Sequence, residues 1–384
     1  MSRRKIDPVA ESAQAKRPSR GRGGITSADR RLFALCLFVT VAAGILHTTQ
    51  GNPVIPFVAA GAALAMLASL VGRSVEALGD RLGPGATGAL QSFLANLPEL
   101  FVILFSLKAG LYEVVKATIV GSILANVLLI AGLAFLVGGI KHGRQKFNQE
   151  SSRQLGLLLV LSVFALAIPT MTSLLHTPAA GHERAVSTIV AAILLTLFLL
   201  SLPETIQRGK GNPLSGTTQA IAAKVEASRI GNWPLALAIS MLLISAVAAA
   251  FVSEWFVASL TPAMDTMNIS PTFAGLIIVA IAGNAVENFV GITLSAKNQS
   301  EYAIQIILQS PVQVAMIVTP AVVLLAPLVG AATFTLVLSP MLLAVLFMSI
   351  LATAIVVEDG DSTWFEGAVL IGLYLAIACS FWWG

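Results

Sequence analysis

Eleven apolar runs, most of them near the roughly 20 residues a helix needs to cross a bilayer, leave this chain few folds to choose from. They lie at 32–46, 54–72, 86–107, 113–139, 155–175, 185–203, 233–257, 272–296, 301–329, 332–350 and 364–382. Water cannot satisfy backbone groups in hydrocarbon, so runs of this length fold as helices that bond internally. The composition agrees: 56% of residues are hydrophobic and 11% charged, where soluble domains carry about a quarter charged residues. The expected fold class is an all-α polytopic membrane protein of about eleven transmembrane helices.

The few charges are distributed unevenly. Residues 1–31 carry nine Lys and Arg, in a polar stretch punctuated by Gly, Ser and Pro that reads as a disordered cytoplasmic tail. Its simplest role is a topology signal, and no nucleic-acid partner is expected. Threading the runs from a cytoplasmic N-terminus places 20 of the 23 Lys and Arg on the cytoplasmic side and only Lys108, Lys116 and Arg184 outside, as the positive-inside rule requires. The short loops favour a prokaryotic inner membrane over a eukaryotic organelle. Cys36 and Cys379 lack metal or redox spacing and read as apolar filling.

The longest connection, 204–232, holds Gly209, Gly211, Pro213 and Gly216 and divides the chain into two five-run units, 54–203 and 233–382, with the first helix (32–46) outside them. Within it, 217–230 reads as a short surface helix. A shift of 188 residues, the separation of Asn284 from Asn96, also carries Glu99 onto Glu287, Glu113 onto Glu301 and Ser122 onto Ser310. Because five is odd, the second unit lies upside down relative to the first. One extra N-terminal helix plus two inverted five-helix repeats is an architecture of secondary transporters, which bind substrate near the midplane at interrupted helices.

Two Asn-x-x-Glu stretches occupy that position: Asn96 to Glu99 and Asn284 to Glu287. A carboxylate at mid-membrane costs roughly 2.5–3.5 kcal/mol on insertion scales, and no basic residue is expected mid-span to neutralise either Glu. Pro98 and Gly283 loosen the backbone beside them, freeing carbonyls. Glu99, Glu287, the amides of Asn96 and Asn284 and those carbonyls form an all-oxygen set that suits a hard cation such as calcium, with Glu99 and Glu287 as the metal ligands. Zinc or copper would recruit His or Cys, and none of the four histidines lies mid-span. Ser122 and Asn126 in the next run, with Ser310 and Gln313 at the equivalent place, offer additional ligands, although interhelical hydrogen bonding and close packing account for such residues equally well. Pro311 is expected to break its run. Glu76 and Glu254, near run ends, line an ion or proton path on this reading, with an i,i+3 pair to Arg73 the plainer role for Glu76. No mid-span nucleophile with a His base is present, so an enzyme is not expected.

These residues resemble a known family. Glu76-Ala77-Leu78-Gly79-Asp80-Arg81-Leu82-Gly83 is similar to the acidic second-helix motif of the calcium/proton exchangers in the cation/calcium exchanger superfamily. Asn96-Leu97-Pro98-Glu99-Leu100 and Gly283-Asn284-Ala285-Val286-Glu287 resemble its two signature repeats, and Gly121-Ser122-Ile123-Leu124-Ala125-Asn126 its following helix. The resemblance extends over residues 70–382 and implies an antiporter in which Glu99 and Glu287 are the central ligands and Glu76 and Glu254 assist entry. The chain departs from the family pattern at Ala95, Asn288, Gln309 and Pro311, which stand where Gly, His, Gly and Ser are usual.

The expected activity is exchange of a cation, most readily calcium, for protons, with the transported ions and the lipid bilayer as the only partners and no cofactor. Exchange of sodium or potassium for protons, sodium/calcium exchange and, more remotely, a cation channel would draw on the same groups.

Overall fold

Helices account for most of the described residues because apolar runs have no other way to satisfy their backbone in lipid. The structure is a computed structural model describing residues 25–49, 51–82, 93–94, 96–209 and 233–383, without the side chains of residues 76, 79–82, 202–209 and 286–287. The tail to residue 24 and linker residues 210–232, including the surface helix expected at 217–230, lie outside the described residues.

In order, the helices are α1 (Ser27–Thr48), α2 (Val54–Leu82), α3 (Leu97–Lys108), α4 (Tyr112–His142), α5 (Gln149–Leu174), α6 (Glu183–Gly209) and α7 (Leu235–Met267). There follow α8 (Pro271–Gly283), α9 (Ala285–Ala296), α10 (Ser300–Val329), α11 (Pro340–Val357) and α12 (Trp364–Ser380). Among the described residues, eight are long and apolar enough to cross a membrane, and the α8–α9 pair, bent by 63°, makes a ninth if counted as one span. The other two of the eleven expected runs are represented by α3, whose preceding residues 83–92 are not described, and by α12, 17 residues long.

Four expectations change. Helix α1 begins at Ser27, inside the expected tail, because Thr26 and Asp29 form a reciprocal capping box. Helix α7 runs through Pro262 to Met267, so Glu254 sits well inside a helix rather than near its end. Residues 334–339 are irregular instead of helical. Their backbone is satisfied by side chains: Leu336 N–H donates to Ser187 Oγ (3.0 Å) and Leu338 N–H to Thr170 Oγ1 (2.9 Å), and α11 starts only at Pro340, capped by Ser339. Finally, Pro311 does not break α10, which is continuous from Ser300 to Val329. A π-helical stretch follows at Val314–Val318, but α4 has one at Ala125–Ile130 without a proline, so the widened turn belongs to the repeat and not to Pro311.

Loop contacts fix which helix ends share a side. Strands β1 (Gln145–Lys146) and β2 (Asp361–Ser362) pair antiparallel, Arg144 meets Asp361 at 3.3 Å, and Gln145 Nε2 donates to Ser295 O at 3.2 Å. These join the α4–α5, α11–α12 and α9–α10 connections. On another face Ser270 Oγ donates to Phe381 O (2.6 Å), and the Tyr112 and Phe334 rings meet at 5.9 Å. In the centre, α4 crosses α8 with backbones in near contact. A Cβ on Gly121 would lie 2.1 Å from Leu276 O, and one on Gly275 2.4 Å from Val114 O. Glycine at both points permits the approach typical of membrane interfaces and brings the two halves together beside Glu99.

Candidate cation site

Asn96 and Asn284 stand immediately before α3 and α9 with similar backbone angles, φ −87°, ψ 6° and φ −105°, ψ 18°. An Asn at this position normally caps its own helix by accepting from the first-turn N–H groups. Neither does so here, which leaves both amides for longer-range contacts.

Glu99 is the third residue of α3, where Pro98 occupies the first turn without losing a needed donor. Its carboxylate is 2% exposed and lies at the positive end of the helix dipole. Ser122 of α4 donates to Glu99 Oε1 at 2.5 Å, and Asn284 Nδ2, from the other half, approaches the same oxygen at 3.5 Å. Asn284 Nδ2 also donates to Ser122 Oγ (3.1 Å) and to Ala280 O (3.0 Å). Its Oδ1 accepts from Ser310 Oγ (3.3 Å) and Asn126 Nδ2 (3.5 Å), while Asn96 Nδ2 donates to Gln313 Oε1 (3.1 Å). Glu99 Oε2 and Asn126 Oδ1 are buried with no hydrogen-bond partner among the described residues.

Five residues singled out in the sequence, Glu99, Ser122, Asn126, Asn284 and Ser310, therefore meet in one buried network, and two more, Asn96 and Gln313, form a buried pair that joins the halves beside it. Glu287 is the third residue of α9, as Glu99 is of α3, but its side chain lies outside the described residues, as does that of Glu76. Arg73 bonds to Asp29, with Nε at 3.0 Å and an Nη at 2.7 Å. Glu254 does not join the network. Its exposed carboxylate opens onto an apolar groove of about 250 Å³ between α3 and α7, lined by Phe101, Phe105 and Phe251.

The sequence reading passed over two features. Asp29, 1% exposed, ties α1 to α2; its signal was the Thr26-x-x-Asp29 capping pattern, hidden in an Arg-rich stretch. Ala280 contributes a backbone carbonyl, which no side-chain pattern announces.

A buried carboxylate among amides and hydroxyls, at the junction of two halves whose helices are interrupted there, is the arrangement in which secondary transporters bind substrate. The chain belongs to the sodium/calcium exchanger protein family, whose sequence model matches residues 53–203 and 237–383, and within the cation/calcium exchanger superfamily to the calcium/proton exchangers. It is 34% identical to the Ca(2+)/H(+) antiporter ChaA of Bacillus subtilis (strain 168) over 90% of this chain and 98% of that protein. The Ca(2+)/H(+) antiporter of Aphanothece halophytica is 29% identical over 91% of this chain and 95% of its own length. Among solved structures, the selenium-substituted Ca2+/H+ antiporter protein YfkE superimposes with a TM-score of 0.74 at 27% identity, covering 92% of this chain and 99% of that one. The H+/Ca2+ exchanger CAX shares the fold at a TM-score of 0.69 and 15% identity, over 93% and 92% of the two chains.

Proposed function

We propose that this chain is a secondary antiporter that exchanges calcium for protons, with Glu99 and Glu287 holding either the cation or the protons. The observation that carries this is the environment of Glu99: a buried carboxylate with one oxygen held by Ser122 and Asn284 and the other unpartnered, and no ion pair to a basic group among the described residues. In low dielectric such a group is costly when charged and alone, so it passes between a cation-bound and a protonated form. Binding a cation then releases protons, and protonation expels the cation. If the empty, charged site cannot reorient across the membrane, only loaded forms cycle and the fluxes are coupled. No covalent step is involved.

Glu254, in its groove two residues along α3 from Glu99 at Phe101, and Glu76 on α2 serve ion or proton access in this reading. The N-terminus is cytoplasmic, in a prokaryotic inner membrane. Names of relatives at 34% and 29% identity support calcium as the cation. Everted vesicles with a pH-sensitive dye test it. Calcium should dissipate the proton gradient in wild type, and sodium or potassium should not. A response to sodium or potassium alone would move the assignment to monovalent cation/proton exchange, and calcium flux without proton movement would leave a channel.

A further inference from the structure

We infer that Asn288 supplies a neutral oxygen ligand to the transported cation, on the side of the site facing the β1–β2 loops. This rests on the exchange reading above and adds a residue to it. Asn288 lies on α9 one turn beyond Asn284, to whose carbonyl its N–H donates at 3.1 Å. Four residues of helix advance roughly 6 Å, which puts Asn288 one turn from the amide that meets Glu99, Ser122, Asn126 and Ser310, and within α9 residues 288, 291 and 295 share a face.

Its side chain is polar where packing alone would ask for an apolar one. Asn288 is 8% exposed, and its Oδ1 is buried with no hydrogen-bond partner among the described residues. One turn further, Gly291 is closed against Ile307 and Ile130, with positions 2.9 Å and 3.6 Å from a Cβ placed there. Beyond that, the Ala296 carbonyl meets the His142 ring at 3.0 Å, beside the β1 loop. Asn288 is thus the last polar group on this face before an apolar seal.

A buried acceptor without a donor costs about 1–3 kcal/mol. Of the buried side-chain atoms without a partner among the described residues, which occur elsewhere in the fold too, three are carboxylate or amide oxygens on the helices of this site: Glu99 Oε2 on α3, Asn126 Oδ1 on α4 and Asn288 Oδ1 on α9. The helices bearing them are linked through the hydrogen bonds of Asn284. Oxygens that lack donors are what a hard cation coordinates. Because an amide does not titrate, Asn288 contributes to cation affinity and not to proton carriage.

The test compares wild type with Asn288→Ala, Asn288→Leu and Asn288→Asp. Two readouts are used: calcium-dependent proton flux in vesicles, and the calcium concentration giving half-maximal thermal stabilisation of the purified protein. Ala and Leu should raise the calcium KM and the stabilisation midpoint about ten-fold, equivalent to about 1.4 kcal/mol. Vmax should stay within about two-fold and the pH profile should not move. Asp, which keeps an oxygen, should hold the KM at or below the wild-type value. Unchanged KM and midpoint in Ala and Leu overturn the proposal, and so does a fall in Vmax alone, which would mean that the side chain only packs between helices. Should Ala and Leu fail to accumulate, Asn288→Ser takes their place, with an intermediate KM expected and an unchanged one decisive against. Wild type that answers sodium or potassium but not calcium overturns the calcium assignment alone, since the same variants are then scored on that ion's KM. No response to any of the three defeats both.

Discussion

Helices α3 and α9 occupy the same place in the two halves, yet they use it differently. The 188-residue shift carries Leu97–Lys108 onto Ala285–Ala296, the first residue of α4 onto that of α10, and the π stretch Ala125–Ile130 onto the region of Val314–Val318. The helix bounds match. The side chains do not. In the first half, Asn96 reaches across to Gln313; in the second, Asn284 turns to Glu99, Ser122, Asn126 and Ser310 at once. In the first half a proline occupies the opening turn of α3, and in the second α8 ends at Gly283. Matching helix starts supply two equivalent openings for alternating access, while the amide contacts of the described residues gather around the first carboxylate.

The strongest way to break this comparison is to remove each charge separately. Glu99→Gln and Glu287→Gln should each abolish calcium-dependent proton movement, a fall of more than 100-fold by the measure that one unit of pKa or one decade of rate is about 1.4 kcal/mol, while both proteins still reach the membrane. Full activity in either would show that one carboxylate suffices and that the repeats are not functionally paired.

A graded test uses the two equivalent serines. Ser122 donates directly to Glu99 at 2.5 Å, whereas Ser310 donates to Asn284 at 3.3 Å. A hydrogen bond to a charged group is worth about 1.5–3 kcal/mol and a neutral one about 1. Ser122→Ala should therefore raise the calcium KM or lower Vmax by roughly ten- to one-hundred-fold, and Ser310→Ala by roughly five-fold. Equal effects, read from initial rates across a calcium series, would mean that the shell is as symmetric as the backbone.

The pairing of these residues was readable from the sequence because mid-membrane polar groups are expensive and few. Once Glu99 and Glu287 were matched by offset, Asn96, Asn284, Ser122, Asn126, Ser310 and Gln313 stood out as polar groups on the same or neighbouring runs, and the fold brings Asn284, Ser122, Asn126 and Ser310 to Glu99 and pairs Asn96 with Gln313. What escaped was governed by local capping and not by hydropathy. Residues 334–339 are as apolar as a helix, but buried Phe334, Leu336 and Leu338 alternate with less buried neighbours at the period of an extended strand, and Ser339-Pro340 is a helix-start signal that locates the true beginning of α11. The hydrophobic count responds to neither. Bonds such as Asn284 to Ala280 O were also beyond reach, since any residue type carries that carbonyl.

The periphery gives the mildest and most specific contrast with the site. Asp29 and Arg73 form another buried polar contact, but with acid and base paired: Arg73 makes two bonds to Asp29, and its guanidinium lies 5.4 Å from the centre of the Trp233 ring at the start of α7. Removing one partner of a buried pair costs about 3–5 kcal/mol, with the lower end apt for a cation still 14% exposed. Asp29→Asn should thus lower Tm by several degrees and leave the calcium KM within about two-fold, because the pair holds α1 against α2 without touching the cation. Asp29→Asn combined with Arg73→Gln should recover part of the lost Tm, since neither charge is then left buried. A large rise in KM in the single variant would mean that α1, the helix outside the repeats, sets the geometry of the site and is more than a brace at its edge.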